Sequence, residues 1–120
     1  MGAAFVYGTL MPGRLRWSSV AAYVVDHREA TVQGTLVDTG RGYPGLRLSG
    51  DGVVHGWLLE LHPATEASVW ADLDEVEGPD YRRVSLTTTD GTPAQAYEWI
   101  TSSAGEHVLV DGRWPDGAEL

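Results

Sequence analysis

The chain has no cysteine and no lysine among its 120 residues. Without cysteine there is no disulfide framework, no thiol nucleophile and no thiolate zinc site. Without lysine, Schiff-base chemistry through an ε-amine is excluded. The eight basic residues are all arginine and face seventeen acidic ones, for a formal net charge of −9. No basic patch is available to displace counterions from a phosphate backbone, so no nucleic-acid partner is expected. Long apolar runs are missing as well: none approaches the roughly 20 residues that span a bilayer. The first residues run straight into AAFVYGTL with no basic n-region, so neither a signal peptide nor membrane association is expected. Position 6 is Val, where a myristoylation signal wants Ser or Thr. The four histidines show no HxxxH spacing, which argues against a metal site. The serines at 18, 19, 102 and 103 lie in no nucleophile-elbow pattern.

What remains is ample for a core. Apolar residues make up 42% of the chain and include five Trp, which fits one domain over 1–120. Residues 3–7 read as a short buried strand ended by Gly8. The run YGTLMPGRLRW follows as a loop, and 16–25 as a short helix with Trp17, Val20, Ala21 and Val24 at helical spacing. Residues 29–40 alternate as a strand bent at Gly34. Residues 43–52 read as a loop and short strand closed by an Asp-Gly turn, and 53–62 as a strand interrupted at Gly56. The one long helix is 63–77, opened near Pro63 and Thr65 and stopped by Gly78 and Pro79. Strands follow at 81–88 and 94–101, joined at Asp90-Gly91, with one more short strand in the tail. Five or six strands and one long helix point to an α+β fold, a small, mixed, mostly antiparallel β-barrel with flanking helices.

The stretch LDEVEGPDYRR breaks a local rule. Glu77 closes the helix, where the partial negative charge of the helix dipole disfavours a carboxylate. Asp72, Asp74, Glu75, Glu77 and Asp80 put five carboxylates within nine residues. At about 100° per residue, Val69, Trp70, Leu73 and Val76 share one face. Only Glu66 and Glu77 among the helix acids fall within that arc. Two readings of Glu77 stand side by side. It pairs with Arg82 or Arg83 and is inert, or it is a general acid/base whose pKa is pushed up by burial, by the helix end and by like charges. The loop of Tyr7, Gly8, Thr9 and Leu10 is likewise either an ordinary turn or a cradle of N–H groups for an anion.

YGTL after an N-terminal strand, together with LDEVEGPDYRRV at a helix-to-strand junction, resembles the γ-glutamylcyclotransferase-like family, in its AIG2-like, γ-glutamylamine cyclotransferase branch. GYPGL (42–46), VHGWLLEL, YEW (97–99) and DGRW (111–114) extend the resemblance nearly end to end. It implies a pocket between the YGTL loop and the Glu of LDxxEG, which falls on Glu77. It implies a cofactor-independent reaction on a small γ-glutamyl amine or γ-glutamyl amino acid. The α-amine attacks its own γ-carbonyl and releases 5-oxoproline and the free amine, an intramolecular acyl transfer of amidine-lyase type. Glu77 moves the protons; Gly8, Thr9 and Leu10 hold the glutamyl carboxylate or the oxyanion; Tyr7, Tyr43 and Tyr97 shape the pocket. The implied protein is cytoplasmic, a monomer or homodimer. One departure stands out. Many members carry Asn or His after the YGTL-x-x-G segment, and here the run is RLRWSS, with Trp17 expected to take over packing. The alternative readings are a non-catalytic domain that binds an acidic or amide ligand in the same pocket, and a structural module in which Glu77 only bridges an arginine.

Overall fold

The computed structural model describes residues 2–115. Its strands are β1 (Ala3–Val6), β2 (Val24–Gln33), β3 (Thr35–Asp38), β4 (Pro44–Arg47), β5 (Val53–Leu61), β6 (Tyr81–Thr87), β7 (Pro93–Trp99) and β8 (His107–Val108); its α-helix is α1 (Glu66–Glu77). All belong to one curled mixed sheet in the order β2-β5-β1-β7-β4-β3-β8, with β6 on β7. Five pairings are antiparallel, and β1 and β4 run parallel to β7. The curl closes further through the tail: Leu109 N–H donates to Leu36 O, and His55 N–H to Gly112 O.

Two-residue alternation divides the core. On β1, Ala4 and Val6 face a cluster that includes Val69, Trp70 and Leu73 of α1, while Phe5 and Tyr7 face a second cluster with Val32, Leu36 and Leu46. On β5, Leu59 and Leu61 join the first cluster and Val54 and Leu58 the second. Gly56 interrupts that strand because β1 lies against it; a Cβ there would stand 2.2 Å from Val6 O.

Several expectations change. The sheet has eight strands, not five or six: the bend at Gly34 divides one long strand into β2 and β3, and the short β4 and β8 each count as a strand. Residues 16–25 are not a helix. They form two three-residue 3₁₀ turns, Trp17–Ser19 and Ala21–Tyr23, and then enter β2. Val24 pairs with Leu61 across the sheet, and sheet pairing of the β-branched Val24 and Val25 outweighs their helical spacing. Among the described residues one α-helix therefore flanks the sheet, not several. It starts at Glu66 rather than at 63; Thr65 Oγ1 donates back to His62 O instead of capping the helix. Val76 leaves the buried stripe and is 60% exposed. The stop falls as expected: Gly78 has φ 73° and returns its N–H to Asp74 O at 3.2 Å, a left-handed position that favours glycine.

The site follows from the topology. β6 occupies one edge of β7 along its length, so β1 and β4 share the other, meeting it at Gln95 and Glu98. Where β1 departs from that edge, the chain from Tyr7 onward borders a crevice. The end of α1 borders it from the far side.

Candidate active site

The crevice is a cavity of about 290 Å³ whose walls include Tyr7, Gly8, Thr9, Leu10, Tyr43, Glu77 and Tyr97. All seven sequence-predicted residues therefore meet in one place. A larger open groove lies elsewhere, against β2, β5 and the tail, and contains none of them.

Gly8 permits the first wall, though not through an unusual backbone. No residue from 7 to 10 has a positive φ, so the loop contains no left-handed position. Gly8 is needed for closeness: a Cβ would lie 2.7 Å from Pro44 Cγ. The loop turns through Met11 N–H to Gly8 O at 3.1 Å and is tied further by Arg16 N–H to Thr9 O at 2.8 Å. The N–H groups of Gly8, Thr9 and Leu10 themselves donate to no acceptor among the described residues. Three consecutive unclaimed donors line one small cavity, and such groups need an acceptor, from water or from a ligand.

Glu77 forms the opposite wall. The bland reading of its carboxylate fails, since Arg82 pairs with Glu98 at 3.0 Å and Arg83 with Asp74 at 3.5 Å. Among the described residues Glu77 has no hydrogen-bond or ion-pair partner. Burial raises its pKa above the ordinary 4.5, and the Arg16 charge works against that rise. The expected direction holds, but desolvation produces it; the crowd of neighbouring carboxylates is not the cause. Glu66, which the helical arc grouped with Glu77, sits eleven residues back and accepts Gly2 N–H at 3.1 Å. At 1.5 Å rise per residue that is roughly 16 Å away along the axis, and Glu66 is not part of the cavity wall.

Three tyrosine hydroxyls at the cavity are already committed as donors. Tyr7 donates to Tyr97 O, Tyr97 to Asp74 Oδ1 and Tyr81 to Pro44 O, each at 2.6 Å. Burial is the first cause that pushes the pKa of all three upward, so they stay protonated. Among these four groups Glu77 is thus the one that loses its proton most readily. Tyr43 packs its ring 6.1 Å from Tyr81 and 6.3 Å from Trp99. No group of three or more His, Asp or Glu among the described residues is arranged to hold a metal ion, and no helix there is long and apolar enough to cross a membrane.

Arg16, Tyr81, Leu15, Pro44 and Val76 also line the cavity and were not singled out from the sequence. For Tyr81 a signal existed, an aromatic two residues beyond the Gly-Pro stop. Arg16 opens the segment 16–25, whose helical spacing marks Trp17, Val20, Ala21 and Val24 and leaves Arg16 unmarked. Its neighbour Trp17 packs against the core as expected and sets its ring 5.5 Å from His27, edge to face.

A family model described as gamma-glutamyl cyclotransferase, AIG2-like matches residues 4–116. The gamma-L-glutamyl-butirosin B gamma-glutamyl cyclotransferase of Niallia circulans is 39% identical over 75 residues, which are 62% of this chain and 47% of that protein. The match thus spans about half of the relative's length. Among solved structures, an uncharacterized protein from Pyrococcus horikoshii is similar with a TM-score of 0.73 at 22% identity, over 94% of this chain and 89% of that one. An AIG2-like protein from Mus musculus gives a TM-score of 0.64 at 19% identity, over 96% and 88%. At those identities the two structures show a shared fold.

Proposed function

Because the chain belongs to the gamma-glutamyl cyclotransferase, AIG2-like family, we propose that it cyclises a small γ-glutamyl conjugate to 5-oxoproline and a free amine, with Glu77 as general acid/base. One observation carries the reading: a carboxylate of raised pKa, unpartnered among the described residues, lines the same 290 Å³ cavity as three consecutive residues whose N–H groups have no acceptor among the described residues. The cavity is of the size that takes a small metabolite.

The chemistry follows from that pairing. The γ-glutamyl chain is flexible in water, and ring closure requires its α-nitrogen to meet its own γ-carbonyl. A site that grips the glutamyl end supplies the orientation that makes such closures fast. The N–H groups of Gly8, Thr9 and Leu10 are suited to the glutamyl carboxylate or to the oxyanion that develops at the γ-carbon. Glu77, as carboxylate, takes a proton from the α-ammonium. The freed nitrogen attacks the γ-carbon, Glu77 returns the first proton to the departing amine as the amide C–N bond breaks, and the nitrogen, now the lactam N–H, sheds its second proton to the released amine, which leaves as an ammonium. A carboxyl with a raised pKa serves both steps better than an ordinary one, because its acid form is less scarce toward neutral pH. No cofactor enters these steps.

The test is 5-oxoproline release from a panel of γ-glutamyl amines and γ-glutamyl amino acids. Glu77→Gln should lower kcat/KM by about 10²–10⁴, the usual worth of a positioned acid/base, with folding intact by circular dichroism. Full activity in the Gln variant would remove Glu77 from the mechanism. Tight binding of panel members with no turnover would make the pocket a binding site only.

A further inference from the structure

The GYPGL run (42–46) has no part in the chemistry proposed above, yet Gly42, Tyr43 and Pro44 line the cavity. Pro44 and Gly45 open β4 and are buried. A Cβ on Gly45 would stand 2.5 Å from Trp99 Cβ, so glycine there lets β4 close on the end of β7. On its other side Pro44 meets the cradle loop. A Cβ on Gly8 would stand 2.7 Å from Pro44 Cγ and 2.9 Å from its Cδ. The Pro44 ring therefore backs directly onto the first of the three residues with unclaimed N–H groups, and a proline ring is a stiff support.

Tyr81 reaches the same proline from the Glu77 wall. β6 and β4 lie on opposite edges of β7. Tyr81 of β6 pairs with Trp99 of β7 and sets its ring 5.2 Å from the Trp99 ring, edge to face. Its Oη then donates to Pro44 O of β4 at 2.6 Å. Between Glu77 and Tyr81 stand Gly78, Pro79 and Asp80, and that turn is pinned. Tyr81 N–H donates to Gly78 O at 3.4 Å and Ile100 N–H to Asp80 O at 3.0 Å. The Asp80 carboxylate accepts Thr101 Oγ1 at 2.8 Å and Arg41 Nη1 at 3.0 Å. A short, continuous path thus runs from Glu77 through the turn to the Tyr81 hydroxyl, then through Pro44 to Gly8.

We propose that Tyr81 is a positioning residue: its hydroxyl, acting through Pro44, fixes how far Glu77 stands from the N–H groups of Gly8, Thr9 and Leu10. This role rests on the cyclotransferase reading above and adds a residue to it. The Tyr81 hydroxyl carries no proton of the reaction, because its hydrogen is committed to Pro44 O. Its contribution is geometric. The α-nitrogen that Glu77 serves and the group that the cradle holds belong to one small molecule. A cavity that drifts open by a fraction of an ångström still binds that molecule but no longer aligns it.

Tyr81→Phe keeps the ring against Trp99 and Tyr43 and removes one hydroxyl. It should lower kcat by about tenfold while KM stays within about twofold. Pro44→Ala keeps the carbonyl, removes the ring behind Gly8 and should lower kcat about as much. Adding Tyr81→Phe to Pro44→Ala should then cost about twofold or less, since the path is already cut. Equal losses from Tyr81→Phe in both backgrounds would mean that Tyr81 acts on the substrate directly, and would overturn the proposal. So would an unchanged kcat in Tyr81→Phe. A readout independent of turnover separates this role from the parent reading. In nuclear magnetic resonance spectra the backbone amide signals of Gly8, Thr9 and Leu10 should move in Tyr81→Phe, and should move no further when that change is added to Pro44→Ala. Such shifts support the link even if no conjugate yields 5-oxoproline, in which case the parent reading alone falls. Unmoved signals in Tyr81→Phe sink the link whether or not the protein turns over.

Discussion

The role proposed for Glu77 in the chemistry sets it against the stability of the fold. Its folded-state pKa lies above the ordinary 4.5, so folding favours the protonated carboxyl. The sign follows from linkage. Below about pH 4.5 the group is protonated in both states and carries no penalty. As the pH rises through the folded pKa, the ionised, half-buried carboxylate weighs against the native state, and Arg16 offsets only part of that. Glu77→Gln, which keeps the shape and removes the charge, is therefore expected to raise Tm at pH 7 while removing activity. The gain should vanish in melts at pH 4 and below. A Gln variant less stable than wild type at pH 7 would mean that the carboxylate has a stabilising partner. Such a trade of stability for activity is common where a site holds a charge away from water. The sequence already marked this residue through its misfit with the helix dipole. It did not reveal that desolvation, rather than the acidic neighbours, dominates, because burial depends on what folds over the helix end.

At the scale of elements, the last turn of α1 is held to the sheet by few contacts. Asp74, one turn before Glu77, accepts Tyr97 Oη at 2.6 Å and faces Arg83 at 3.5 Å. Arg83 in turn lies 5.0 Å over the Trp70 ring. Tyr97 also accepts Tyr7 Oη at its carbonyl, so a single residue of β7 links the helix end to the start of the cradle loop. Tyr97 thus bonds to both walls of the cavity, and under the proposed mechanism it would position them. Tyr97→Phe keeps the ring and loses one donor. It should cost roughly 0.5–1.5 kcal/mol in urea unfolding and lower kcat more than it changes KM, because Glu77 loses its register. A Phe variant with wild-type kcat would show that packing alone holds the helix end. The boundaries of these elements were legible wherever local chemistry fixes them. Gly78 stops α1, and Gly91, with φ 91°, turns β6 into β7. Residues 16–25 misled because Trp17, Val20, Ala21 and Val24 fit a helix as well as they fit two 3₁₀ turns feeding a strand. The choice is made by β5, which pairs with Val24 from far along the chain.

At the scale of the whole molecule, the α+β class and the glycine-bent strands were readable, but the parallel pairings of β1 and β4 on β7 were not. Nothing in a strand's own alternation names its partner, and those two pairings create the crevice. The curl beside it is braced by Glu106, between β7 and β8. Its carboxylate accepts Arg47 of β4, Trp99 Nε1 of β7 at 3.2 Å and Ser103 N–H at 3.2 Å, while Arg47 also donates to Thr101 O at 3.0 Å. Arg47 is the largest cause that lowers the pKa of Glu106 from 4.5 to about 2, with burial opposing it. A carboxylate with a depressed folded pKa stabilises the protein above its unfolded value, and that stabilisation is lost as the pH falls from about 4.5 through about 2. Glu106→Gln retains an acceptor for Trp99 but removes the charge facing Arg47. It should destabilise the fold by roughly 1–3 kcal/mol at pH 7, the range for a hydrogen bond to a charged group. The gap between wild type and variant in urea titrations should narrow from pH 5 down to pH 2, where the wild-type carboxylate is itself protonated. A gap that stays constant over that range would trace the loss to packing in the curl, leaving the ion pair without a measurable share in holding β4, β7 and β8 together.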